Sequence, residues 1–164
     1  MSDITVRPID YENDADKLKA FLDKRDSMRL DHARPAVEAG DCFIFVADDG
    51  DGAIGWAVLH INFRDDQDWD PPDDDTVKFQ SGDNAYLENI EVTARARRGG
   101  IGKMLLRAAE DEARNRGRKN LWLHTSENNQ LAHRFYDRDG WTHESTVYPP
   151  WKPTARTRIY RKTL

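Results

Sequence analysis

Hydrophobic positions change period several times along the 164-residue chain, and each change marks an element. Ile4 and Val6 alternate with Thr5 and Arg7, which predicts a half-buried strand over Ile4–Ile9. Leu18, Phe21 and Leu22 recur at helical spacing behind Asp14, a candidate N-cap, and predict a helix reaching Lys24. The charged stretch Ser27–Gly40 is interrupted by Pro35 and reads as a loop with a short second helix around Ala36–Ala39. Cys42–Ala47 and Ala53–Phe63 are strand-like runs joined by D-D-G-D-G, whose Asp-Gly pairs accept positive φ, so they predict a meander. In the next strand, Ala85–Val92, period two puts Tyr86, Glu88, Ile90 and Val92 on one face and Glu91 on the other.

Val92–Gly117 organises the rest, because it reads as a strand end, a tight glycine turn and a long amphipathic helix in succession. Ile101, Met104, Leu105, Ala108, Ala109 and Ala113 form the apolar stripe, Arg107, Glu110, Asp111 and Arg114 take the wet side, and Gly117 stops the helix. Leu121–Thr125 then reads as a buried strand and Gln130–Asp137 as a helix ended by Gly140. Strands near Trp141–Tyr148 and over Arg156–Lys162 close the chain on either side of Y-P-P-W-K-P.

Composition narrows the class. No linker or shift in composition divides residues 1–164, so a single domain is expected. A net charge of −5 and a pI near 5.5 disfavour nucleic acid and anionic membranes as partners. No apolar run is long enough to span a membrane and the N-terminus lacks the regions of a signal peptide, which predicts a cytoplasmic protein. Cys42, the lone cysteine, sits in an apolar run and reads as core. His32, His60, His124, His133 and His143 show no metal-ligand spacing; each reads as a surface or boundary residue, and no metal is expected.

Gly99, Gly100 and Gly102 remove the side chains that keep an anion from the backbone, and the following helix aims free N–H groups and its positive dipole end at the same spot. With Arg97 and Arg98 beside it, the turn suits a diphosphate; the alternative is a glycine turn serving only strand-to-helix geometry. It is not a P-loop, since Arg97 stands where the first glycine belongs and Met104 where the metal-binding hydroxyl belongs. Nor is it G-x-G-x-x-G, whose third glycine would fall on Leu105. What remains, Arg97-Arg98-Gly99-Gly100-Ile101-Gly102, is R-x-x-G-x-G, which resembles the acyl-coenzyme A pyrophosphate loop of the GNAT superfamily of N-acetyltransferases.

A second stretch is similar to the same superfamily: Asn129-Gln130-Leu131-Ala132-His133-Arg134-Phe135-Tyr136 followed by Gly140-Trp141 follows N-x-x-A-x-x-F-Y-x-x-x-G-[FW]. The two motifs stand in the expected order, and the resemblance covers nearly the whole chain. It implies an α/β fold of GNAT type, with a mixed, mostly antiparallel central sheet of about seven strands flanked by helices. It also implies acetyl-CoA as cosubstrate, without metal, bound by Ile90, Glu91 and Val92, by Arg97, Arg98, Gly99, Gly100, Ile101, Gly102 and Lys103, and by Asn129 and Phe135. Tyr136 takes the place of the residue near the thioester sulfur, either as proton donor or as an amphipathic core residue. Glu88 is the candidate general base, or a strand carboxylate that positions a neighbour.

The expected partner is a small-molecule amine. The strand Y-L-E-N-I-E-V resembles that of diamine acetyltransferases, and Asp65, Asp66, Asp68, Asp70, Asp73, Asp74 and Asp75 form either a solvated loop or an attractor for a cation. A polyamine, an aminoglycoside or a similar basic metabolite is favoured. A peptide N-acetyltransferase, a non-catalytic acyl-CoA-binding module and a homodimer stay open.

Overall fold

A computed structural model describes residues 3–62, 82–147 and 156–164. Strand β1 (Thr5–Pro8) leads into helices α1 (Tyr11–Lys19) and α2 (Lys24–Ala39), followed by β2 (Cys42–Asp48), β3 (Ala53–His60) and β4 (Asn84–Val92). A 3-10 turn, Ala94–Ala96, precedes α3 (Ile101–Asn115); then come β5 (Asn120–Ser126), α4 (Gln130–Arg138), β6 (Thr142–Val147) and β7 (Thr157–Thr163). The seven strands form one sheet in the order β1-β2-β3-β4-β5-β7-β6. The mixed, mostly antiparallel sheet is therefore as expected: β4 and β5 are its parallel pair, joined by the crossover helix such a pair requires. The acidic Asp65–Asp75 run and Y-P-P-W-K-P lie outside the described residues.

The sheet is covered on both faces. α3 lays Ile101, Leu105, Leu106, Ala109 and Ala113 on Ile54, Ala57, Leu59, Leu87 and Leu121. α1 and α2 cover the opposite face, with Leu18, Leu30 and Ala33 against Ile44, Val46, Trp56 and Val58. Each fully buried leucine here contributes roughly 1.5–3 kcal/mol over its exposed state. Two assignments on α3 differ from the helical pattern. Met104 is exposed and Leu106 buried, while Glu110 is inside the protein because Arg107 and Lys162 reach it there.

The first helices also differ. The N-cap of α1 is Asp10, whose side chain accepts from Glu12 N at 3.2 Å; Asp14 lies in the first turn and is buried. There it receives both guanidinium nitrogens of Arg7, at 2.7 and 2.8 Å. α2 runs unbroken from its Asp23 cap to Gly40, through Pro35. The proline lacks one donor, but its ring presets a helical φ, and Leu30, Ala33 and Ala36 hold the helix to the sheet. Among the described residues, no helix is long and apolar enough to cross a membrane.

Candidate active site

The parallel ladder between β4 and β5 holds for three residue pairs, Asn84–Tyr86 against Asn120–Trp122, and then the strands part. β4 continues to Val92 paired only with β3. Thr93 N donates to Ile54 O at 2.8 Å, so by antiparallel alternation the Gly55–Val92 and Ala57–Ile90 pairs direct their main-chain groups away from the shared ladder. The N–H and C=O of Ile90 and Val92 consequently face the gap, while the main chain of Glu91 is turned to β3. The gap is a cleft of about 640 Å³ between β4, β5, the start of α3 and α4.

One end of the cleft is the glycine turn. Left-handed φ falls on Arg98 (71°) and Gly100 (76°), not on Gly99, and a non-glycine residue adopts it at a cost of about 1–2 kcal/mol. Gly100 caps α3 with no side-chain hydrogen bond, and the first turn carries no acid. The N–H groups of Ile101, Gly102 and Lys103 have no acceptor within the helix. Gly102 lines the cleft with Arg97 and Arg98, and a Cβ built on Gly102 would meet nothing within 4 Å. This space, free donors and two guanidiniums fit a diphosphate. The remaining turn residues point elsewhere: Lys103 lines a neighbouring groove with Arg134 and Phe135, and Gly99 and Ile101 face Ile4 and Ile54.

α4 forms the opposite wall. Asn129 caps it, its Oδ1 accepting from Ala132 N at 3.2 Å, and Asn129, Phe135 and Tyr136 all line the cleft. Tyr136 is 7% exposed, edge-on to Phe135 and Trp141 with ring centres 5.3 and 5.4 Å away. Burial, with Asp139 and Tyr160 nearby, pushes its hydroxyl well above the usual phenol range, so it stays protonated.

Glu88 does not share a face with Ile90 and Val92 as period two predicts. Leu59 pairs with Leu87 and Val58 with Asn89, leaving Glu88 as the extra residue of a β-bulge. Leu87, Ile90 and Val92 therefore pack toward the α3 side, and Tyr86 packs in a separate cluster with Ile159. Glu88 Oε2 lies 2.8 Å from His60 Nε2. Next to them Tyr86 stacks on His60 with ring centres 6.2 Å apart, and its hydroxyl is 2.5 Å from His124 Nε2 in the cleft wall. Burial works against a charge on His60, but Cys42 and Glu88 beside it favour one, and the balance raises it to about 10.

His60 and His133 are thus buried, not surface or boundary residues, and His124 lines the site. Their spacing carries no motif; only His60 closing an apolar run hinted at burial. Acidic groups gather on the α2 side of β4. Burial, then Asp26 and Asp23, hold the Glu91 carboxyl above its usual range against Arg97. Burial and Asp23 likewise raise Asp26, against Arg29 and a hydrogen bond from Asn89.

A sheet split at its parallel pair, with a strand edge facing a helix N-terminus, leaves an α/β protein with a cleft that fits an extended ligand ending in a diphosphate. The family model of the Acetyltransferase (GNAT) family matches residues 9–141. The chain belongs to that family. Similar solved structures include a protein described as a GNAT-family acetyltransferase from Desulfovibrio desulfuricans, with TM-score 0.73 and 18% identity over 98% of this chain and 99% of that one. An N-acetyltransferase from Staphylococcus aureus Mu50 gives 0.71 at 17% identity, covering 99% of both chains. A GNAT-family acetyltransferase from Elizabethkingia anophelis with acetyl-CoA bound gives 0.62 at 17%, covering 100% of both. At these identities the likeness is one of fold. A search of curated protein sequences gives no match.

Proposed function

We propose that this acetyltransferase moves the acetyl group of acetyl-CoA to the primary amine of a cationic small molecule, by direct attack within a ternary complex. The observation that carries this reading is the β4 edge at Ile90 and Val92, which has no partner strand on the cleft side though Val92 O accepts from Arg97 Nε at 3.2 Å, and which opens onto the α3 N-terminus at one end and Tyr136 across the cleft. Acetyl-CoA supplies the thioester carbonyl and the sulfur leaving group. Gly102, Arg97 and Arg98 hold the diphosphate through main-chain donors and positive charge. The Ile90 and Val92 main chain binds the pantetheine arm as an added strand would, and the Val92 N–H polarises the carbonyl.

Tyr136, kept protonated by burial, gives its proton to the departing sulfur. Glu88 takes the ammonium proton through a water molecule, so that the nitrogen lone pair is free to attack. Proximity of the two reactants supplies much of the rate. A cationic acceptor is favoured by the carboxylates of Asp23, Asp26, Glu88 and Glu91 around the α2 side of β4.

The test is a thiol-release screen with acetyl-CoA across diamines, aminoglycosides, amino acids and short peptides, in chelator. Salt-sensitive turnover of cationic small amines is expected. Turnover confined to neutral or acidic acceptors would overturn the substrate class, and acetyl-CoA binding with no turnover of any amine would make the chain a binding module.

A further inference from the structure

β3 and β4 bring two buried titratable side chains together at the bulge. His60 and Glu88 are 0% and 5% exposed, and their ion pair uses only one carboxylate oxygen, Oε2. The other, Oε1, is buried and has no hydrogen-bond partner among the described residues. A buried acceptor left unmade costs about 1–3 kcal/mol, and more for a charged group, so a purely structural carboxylate would have both oxygens satisfied. Glu88 also lines the cleft.

The held oxygen is held firmly. The His60 ring is stacked on Tyr86, whose hydroxyl is in turn bound to His124, and Cys42 is its cross-strand neighbour on β2. The charged and titratable groups nearest the pair are Cys42 of β2, Tyr86 of β4 and Asp26 of α2; Asp23 at the α2 cap, Arg29 and Glu91 lie around Asp26, and His124 of β5 lies beyond Tyr86. Asp23, Asp26 and Glu91 add negative charge to this neighbourhood and Arg29 faces Asp26. His60 is the cation placed against Glu88 itself.

We infer that His60 is a positioning residue for the transfer reaction: it clamps Glu88 Oε2 so that Oε1 is presented to the acceptor ammonium or to the water that relays its proton. The inference rests on the reading of Glu88 as proton acceptor. In that step an ammonium N–H bond breaks, its electron pair stays on nitrogen for attack at the carbonyl carbon, and the proton passes to Glu88 Oε1. His60 keeps its own proton throughout. Glu88 keeps the face that Tyr86 shares with His60, and the bulge turns the later Ile90 and Val92 to the α3 side.

Two variants of the full chain separate positioning from packing. His60→Leu removes both donor and charge, and His60→Gln keeps an N–H donor in the same region. With the amine giving the highest turnover in the screen, His60→Leu should lower kcat at least tenfold and leave the KM for acetyl-CoA unchanged. His60→Gln should recover part of the loss, and it carries the kinetic test if His60→Leu does not fold.

Combining either variant with Glu88→Gln should slow the enzyme no further than Glu88→Gln alone, as expected for residues acting as one unit. Nuclear magnetic resonance of the His60 imidazole tests the contact without any acceptor: its titration midpoint should fall by more than one unit in Glu88→Gln. An unmoved midpoint or additive losses in the double variant would each overturn the clamp. Full activity in Glu88→Gln would instead overturn the proton-acceptor reading itself. A requirement for Glu88 with silent His60 variants would leave that reading intact and remove only the role of His60.

Discussion

Two glutamates whose side chains are shielded from solvent, on different elements of the same fold, are treated in opposite ways. Glu110 on α3 is 1% exposed and both its oxygens are paired, Oε2 with Arg107 at 2.6 Å and Oε1 with Lys162 at 2.7 Å. Lys162 and Arg107 also reach Asp139, which in turn accepts from Trp141 Nε1 at 3.1 Å. The network ties α3, the end of α4 and β7 together, and the carboxylate at its centre is paired at both oxygens and closed off from solvent. Glu88 is nearly as buried, yet it has one oxygen paired and one open, on a strand whose far edge has lost its neighbour. A fully satisfied buried charge is a joint; a half-satisfied one beside a free strand edge is a place for something else to bind.

The sharpest way to break this comparison is to remove each carboxylate. Glu88→Gln should lower kcat on the order of 10²–10⁴-fold, the usual range for a lost general base, while the melting temperature moves by only a few degrees. A large stability loss with residual activity intact would make Glu88 structural as well. Glu110→Ala should do the reverse, destabilising the protein by roughly 3 kcal/mol or more in denaturant unfolding, because Lys162 and Arg107 are left facing a site built for an anion. Loss of activity in proportion to the folded fraction is the expected signature.

The cradle gives a smaller and cleaner effect. Gly102→Val fills open space beside the diphosphate site and should weaken acetyl-CoA binding about tenfold, roughly 1.4 kcal/mol, in calorimetry with native-like circular dichroism. Gly100→Val is a poorer probe, since the left-handed φ of 76° strains the fold whatever the ligand does.

The most gradual effect is in pH. His60 is raised in the folded protein to about 10, above its ordinary value near 6.5, so its contribution to stability is complete below the unfolded value and is lost as pH rises toward the folded one. Denaturant titrations between about pH 6.5 and 10 should show this decline in the wild type and a weaker one in Glu88→Gln. Equal slopes in the two proteins would show that Glu88 is not the partner holding the charge.

Local pattern was enough for most of the strands, for α3 and α4, and for the two motifs at Arg97–Gly102 and Asn129–Trp141. Strand alternation, helical spacing and glycine punctuation are set by neighbours within a few residues, and the resemblance led from there to the fold. The unbroken α2 was hidden because Pro35 is a helix breaker only until burial of Leu30, Ala33 and Ala36 outweighs one missing donor. Glu110 was hidden for a similar reason: its cation Lys162 lies 52 residues away in sequence.

The active site divides along the same line. Residues of the turn and of α4 could be read in order, because a helix N-terminus and its cap are local devices. The partners of Glu88 could not: a one-residue bulge in β4 reverses the side to which every later side chain of that strand points, and nothing in Y-L-E-N-I-E-V announces it. Sequence alone therefore determined which groups could cradle a diphosphate. Only the tertiary structure decided that Glu88 meets His60, because that contact depends on register between strands, and register belongs to the assembled sheet.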